Sequence, residues 1–350
     1  MTISRRCLSA LILIQMSLLT ATSQDVPTVP MPKDPAALLS LGHDKNGLNS
    51  SDVKPWHIRG NYTFYDSDGK VEDKGVYEEW WISEKQYKRS FSGTNFAQAE
   101  FATGDGLFRT GSQAMPSASA MMLRTNLIQP LLENDLLKEF KLKQHNESIK
   151  REKYDCVTLN YPLRANVSVP DSFFPKSCFD AAQPILRINT LGSYVQILYN
   201  QVILFQGHYL ARELQVYFGN KPKVDFTLDV VEPLNETLNP GLAPPPEALP
   251  VDLSKGAISL SAGGVVPFLI RHEVPEYPAS AKERNIQGTV VIQVSIGKDG
   301  HPATLDVISG PTELREPALD AVRQWVYRPF EVMGDPTVVN TIVNVIFTMG

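Results

Sequence analysis

Along Trp56–Tyr65 apolar and polar residues roughly alternate, and the run ends at Asp68-Gly69, a dipeptide suited to a hairpin turn. The same texture returns in Val76–Ile82, Gln86–Phe91, Ala99–Ala102 and Leu107–Thr110, the last two parted by the turn Gly104-Asp105-Gly106. It resumes in Cys156–Tyr161, Tyr194–Leu198, Gln201–Phe205, Tyr209–Phe218 and Val224–Val231, with Asn200-Gln201 and Gly219-Asn220 standing where turns are needed. A period of two predicts strands that turn one face inward. One segment changes period: Leu127, Leu131, Leu132, Leu136, Leu137 and Phe140 share one side of a helix, with Pro130 marking its start or a kink. Many antiparallel strands and one long helix predict a curved antiparallel sheet, or half-barrel, wrapped on that helix.

The last part of the chain is more regular. Glu276-Tyr277-Pro278 leads into a short helix, Ala279–Arg284, and Ile286-Gln287-Gly288 opens a strand, Thr289–Ile296. Val290, Ile292, Val294 and Ile296 lie on one face of it. Lys298-Asp299-Gly300 predicts a hairpin turn into Ala303–Ser309. A helix follows with Leu314, Ala318, Ala321, Val322 and Trp325 on one face and Pro317 in its first turn. The final strand, Thr337–Met349, puts Val339, Thr341, Val343, Val345 and Phe347 on one side and Asn340, Ile342, Asn344 and Ile346 on the other. This order predicts a three-stranded antiparallel sheet with helices on one face, so the fold class is α+β.

Pro-rich stretches divide the chain. Asp25–Pro35 is unpatterned, and Asn235–Pro250 contains Pro240-Gly241 and Pro244-Pro245-Pro246, which favours extended backbone. The expected organisation is a signal peptide over 1–23, a tether over 24–50, a β-rich domain over 51–234, a linker over 235–264 and a small domain over 265–350. Arg5 and Arg6 precede the apolar run Leu8–Leu19, and Ala21-Thr22-Ser23 follows it as a cleavage signal. That run is short of the roughly 20 residues a membrane span needs. The expected location is therefore the periplasm, with an uncleaved inner-membrane anchor as the alternative. In an oxidising compartment spare thiols pair, so Cys156 and Cys178 are expected to form a structural disulfide; the alternative is two separate buried thiols.

Charge and motif content narrow the function. The formal net charge is −5, with no basic stripe, which argues against nucleic acid. The six histidines are scattered and none has metal-ligand spacing. No nucleophile elbow or phosphate loop is present. Glu78 and Glu79 are adjacent on a strand and point to opposite faces, so they read as solvated or partner-facing carboxylates rather than a catalytic pair. His208 reads as a structural histidine. The expectation is a protein without catalytic, metal or cofactor sites.

Tyr277-Pro278, Ala281, Gly288, Asp299-Gly300, Val307, Ser309, Ala318, Ala321, Trp325, Tyr327-Arg328-Pro329, Gly334 and Ile342–Phe347 fall in an order and spacing that resembles the TonB C-terminal domain family. The resemblance implies binding of the TonB box of outer-membrane receptors, an extended peptide that adds a strand beside the last one. The implied peptide-binding residues are Asn340, Ile342, Val343, Asn344, Val345, Ile346 and Phe347. The segment around Gly75–Trp81 and the hairpin from Tyr209 to Val230 resemble LolA/LolB-type half-barrels, which implies a lipid or lipoprotein carrier as an alternative function. TonB proteins of full length keep a membrane helix and a long spacer. Here 16 residues at about 3.1 Å each cannot cross the periplasm, so a periplasmic adaptor associated with transmembrane transport is expected before an anchored energy transducer.

Overall fold

The computed structural model describes residues 30–66, 68–113, 116–160, 174–191, 195–234, 241–251, 257–259 and 268–349; the expected signal peptide lies outside them. The expected tether carries a helix, α1 (Pro35–Lys45), whose start is fixed by Asp34 accepting from the Ala37 N–H at 2.8 Å and by proline in its first turn. Strands β1 (Trp56–Tyr65), β2 (Val71–Ser83), β3 (Gln86–Gly93), β4 (Ala97–Thr103) and β5 (Gly106–Gly111) then form an antiparallel meander. After α2 (Ala118–Ile128) come β6 (Lys141–Ile149), β7 (Glu152–Asn160), β8 (Lys176–Asp180), β9 (Leu186–Leu191), β10 (Val195–Phe205), β11 (His208–Phe218) and β12 (Lys221–Pro233). β12 returns to pair with β1, from Trp56 opposite Pro233 to Phe64 opposite Val224, and joins the two meanders into one curved sheet.

The interior of this sheet is filled. Eight of the eleven residues of α2 are buried, and the helix packs on β11 and β12. Trp56, Ile58, Tyr77, Phe179, Leu214 and Phe226 close around Met122, Leu123 and Leu127 in one core. Each fully buried aliphatic or Phe side chain contributes roughly 1.5–3 kcal/mol. Cys156 and Cys178 face each other on β7 and β8 and form a disulfide.

The long helix expected over Leu127–Phe140 is not there. The helix stops at Ile128, and only a short 3₁₀ turn, Leu136–Glu139, follows. Pro130 lacks the N–H a helix needs and disfavours helical backbone at Gln129. Asn200-Gln201 is not a turn either. β10 runs through it, and the reversal comes at Gln206 and Gly207, whose φ values are 51° and 86°. Glycine at that second position takes the left-handed backbone at no steric cost.

Past this domain, β13 (Leu249–Pro250) adds to the free edge of β5, and β14 (Ala257–Ser259) joins a second sheet. β15 (Leu269–Arg271) follows and pairs antiparallel with Val326 and Tyr327. The small domain then runs α3 (Ala279–Glu283), β16 (Gly288–Ile296), β17 (Pro302–Ser309), α4 (Thr312–Val322), β18 (Val326–Tyr327), β19 (Glu331–Val332), β20 (Asp335–Pro336) and β21 (Val338–Phe347). The expected three strands are present with the expected order and faces. Pro317 sits in the middle of α4 rather than its first turn, because the helix begins at Thr312. The second sheet has the order β14-β21-β16-β17, so it holds four strands, three antiparallel and one parallel.

The domains are packed together. Met121 of α2 enters the core of the small domain, while Ile270 and Val326 enter the core of the large one. The Arg328 guanidinium donates to the Gln129 carbonyl at 2.5 Å.

Candidate functional site

β21 is held on one side by nine consecutive residue pairs with β16, from Gly288 opposite Phe347 to Ile296 opposite Val339, with no register break. Its core face is the expected one: Val339, Thr341, Val343, Val345 and Phe347 are buried. Below them lie Leu314, Ala318, Val322 and Trp325. The Phe347 and Tyr277 rings meet edge to face with centroids 5.4 Å apart, and Tyr277 donates to the Ile286 carbonyl at 2.7 Å, which ties the strand end to the short helix region. Trp325 donates its indole N–H to the Glu273 carbonyl at 2.9 Å. Gly300 closes the β16–β17 turn at φ 81°, and a Cβ there would lie 2.0 Å from the Tyr327 carbonyl oxygen, so both backbone and space require glycine.

The outer face of β21 carries Asn340 and Ile342, half-buried, and Asn344 and Ile346, exposed; Ile346 keeps 65% of its surface. The second side of the strand is not bare along its whole length. Ala257, Ile258 and Ser259 pair in parallel with Val338, Val339 and Asn340. Asn340 is thus already paired, whereas Ile342–Phe347 have no strand partner on that side among the described residues. In a β-strand every second residue aims its N–H and C=O at that side, and these groups need partners.

Among the described residues the two large sheets end on β6 and β13 and on β17 and β14, and β14 covers β21 only as far as Asn340, so the rest of β21 stands beside these edges for comparison. β6 carries Lys141, Lys143 and Glu147. β13 has two residues, one of them Pro250. β17 starts at Pro302 and has two register shifts against β16. Charge, proline, shortness and bulges are the usual means of blunting an edge. β21, with the sequence VVNTIVNVIF, has no charge, no proline and no glycine. Its open part is a six-residue uncharged β-forming segment of the kind that pairs readily with another chain.

Other candidate chemistry resolves into structure. Glu78 and Glu79 do point to opposite faces, but Glu79 is not solvated. It is fully buried, accepts from the Tyr77 hydroxyl, and has Arg124 Nη2 3.0 Å from Oε1. Glu100 is likewise buried between Arg89 and Arg109. Burial pushes its carboxyl up, but the two guanidinium groups outweigh that and hold it below the usual range. The sequence offered no sign of these pairs, whose members lie on separate elements. Arg89, Arg124, Met121 and Arg328 line a cleft of 140 Å³ between the domains. His208 is buried with Nε2 3.0 Å from Asp52. His145, Glu147 and Cys156 approach one another, but the Cys156 sulfur is bonded to Cys178 and Glu147 is held by Lys176 at 2.7 Å.

The small domain is thus a helix-backed antiparallel sheet whose last strand offers an unblunted edge. Residues 273–349 match the family model of the Gram-negative bacterial TonB protein C-terminal. The curated relative Protein TonB of Vibrio cholerae serotype O1 is 33% identical over 73 residues, 20% of this chain, and the chain spans 30% of that protein's length. Solved structures that align with the chain include a LolA superfamily protein from Nitrosomonas europaea, with a TM-score of 0.38, 9% identity, and coverage of 57% of this chain and 94% of that one. MucB aligns with a TM-score of 0.30 and 10% identity, covering 63% of this chain and 66% of that one. No helix among the described residues is long and apolar enough to cross a membrane.

Proposed function

We propose that this protein faces the periplasm and binds an extended peptide by strand addition along Ile342–Phe347, as the TonB box of an outer-membrane receptor would bind, in a process of transport across the envelope. The observation that carries this reading is the contrast between edges. Among the described residues β6, β13 and β17 are blunted, whereas the fourth edge, where β14 covers β21 only as far as Asn340, leaves a regular uncharged strand able to accept a guest. A guest strand satisfies the outward N–H and C=O groups of β21, and its side chains alternate above Ile342, Asn344 and Ile346 on one face. Binding rather than catalysis also fits the acidic and basic side chains near the interior, which are committed to each other in ion pairs.

The carrier reading draws less support from the structure. A carrier of acyl chains needs an apolar hollow, and α2 occupies the inside of the large sheet. A cleft between the domains sets Arg89, Glu100, Arg124 and Arg328 among Phe91, Met121, Phe268 and Phe330, so charge interrupts its apolar lining.

The test is backbone amide exchange on the full chain with and without a synthetic TonB-box peptide. Strand addition slows exchange at alternate residues within Ile342–Phe347. Unchanged exchange there at saturating peptide rejects the proposal.

A further inference from the structure

β14 stands on the same side of β21 that a guest would use. Its three residues pair with Val338, Val339 and Asn340, the first three positions of a ten-residue strand. β14 is parallel to β21, whereas every other pairing within this sheet is antiparallel. Parallel pairing is slightly weaker per residue, and among the described residues no other strand flanks β14 on its far side. Its strand pairing among the described residues is one short ladder.

We infer that Ala257–Ser259 is an internal end-stop that sets the length and register of the guest strand. This rests on the proposed peptide-binding role of β21 and adds to it a rule of selection. A guest of six residues paired with Ile342–Phe347 shares none of the positions that Ala257–Ser259 hold. A guest that reaches three or four positions further must evict Ala257–Ser259, and it gains at Val338–Asn340 only what the evicted strand gives up. Lengthening the guest toward Val338 is thus nearly without effect on affinity. The end-stop also fixes register. Sliding a guest toward Val338 runs it into Ser259, and a slip by one residue turns every guest side chain to the opposite face.

The experiment compares the full chain with the double variant Ile258→Pro/Ser259→Pro. Two adjacent prolines supply no N–H, so whichever of the two positions aims its donor at β21 loses it. Labelled TonB-box peptides of six and ten residues, the longer one extended at either end, are titrated by fluorescence anisotropy. In the unaltered chain the ten-residue peptides bind within about twofold of the six-residue one. In the variant, the peptide extended toward Val338 binds about tenfold tighter than the six-residue one, a change of about 1.4 kcal/mol. An equal gain in both proteins overturns the end-stop while leaving strand addition standing. No binding of any peptide to either protein overturns strand addition, and the end-stop with it. Amide exchange without peptide provides the separate readout. Val338–Asn340 exchange faster in the variant, with Val290–Val294 unchanged as the control for an intact fold. Unaltered exchange at Val338–Asn340 also overturns the inference.

Discussion

Glu79 and Arg124 meet 3.0 Å apart inside the large domain, one from the second strand and the other from a helix 45 residues further on. The carboxylate has no exposed surface. Removing one member of a buried pair strands the other in a poor medium for charge, at a cost of about 3–5 kcal/mol.

Arg124→Met is therefore expected to lower the unfolding free energy by about 3–5 kcal/mol. Pairing it with Glu79→Leu recovers part of that loss, because no charge is then left alone. Urea unfolding of the two proteins measures the difference.

The disulfide gives a second expectation. Cys156 and Cys178 are 22 residues apart and lie side by side on neighbouring strands. Closing a loop of that size restricts the unfolded chain by about 3 kcal/mol on the chain-entropy argument. Unfolding with and without a reductant checks it, and the Cys156→Ala/Cys178→Ala variant is expected to match the reduced protein.

Acid is expected to weaken the large domain through His208. Its ring is buried, and burial holds its pKa below the ordinary value although Asp52 lies 3.0 Å from Nε2. The unfolded chain then takes up a proton at a higher pH than the folded one. This contribution to stability is present above about pH 6.5 and is lost as pH falls through the unfolded and then the folded pKa. His208→Asn flattens the fall between pH 7.5 and pH 5, read as the shift of the urea midpoint.

Ile346 tests the edge itself. It is 65% exposed, so Ile346→Lys is expected to change stability by no more than about 0.5 kcal/mol. A lysine on an edge strand discourages pairing with other chains. The variant is expected to self-associate less at high concentration, seen by light scattering, and saturating peptide is expected to have the same effect on the unaltered chain.

The small domain was legible because its strands alternate cleanly. Val290 to Ile296 and Val339 to Phe347 each show one buried face, as the residue pattern indicates. The large domain was legible where strands are half-apolar and opaque where they are not. β6 was missed because its sequence KLKQHNESI is that of a polar edge strand. α2 was missed for the opposite reason: a helix buried nearly all round has no stripe to give it away. The leucines after it have helical spacing but follow Pro130, and the backbone obeys the proline. β14 could not be read at all. Three residues are too few for a period, and their partner lies some 80 positions downstream.

One short run of chain ties the rims of both sheets. Leu249–Pro250 is laid on Arg109 and Phe108, and Ala257–Ser259 on the last strand, with residues 251–256 between. Seven steps of extended backbone reach roughly 25 Å at most. The segment beside the last strand is thus on a leash: it cannot stray further than that unless Leu249 and Pro250 peel away from the neighbouring domain.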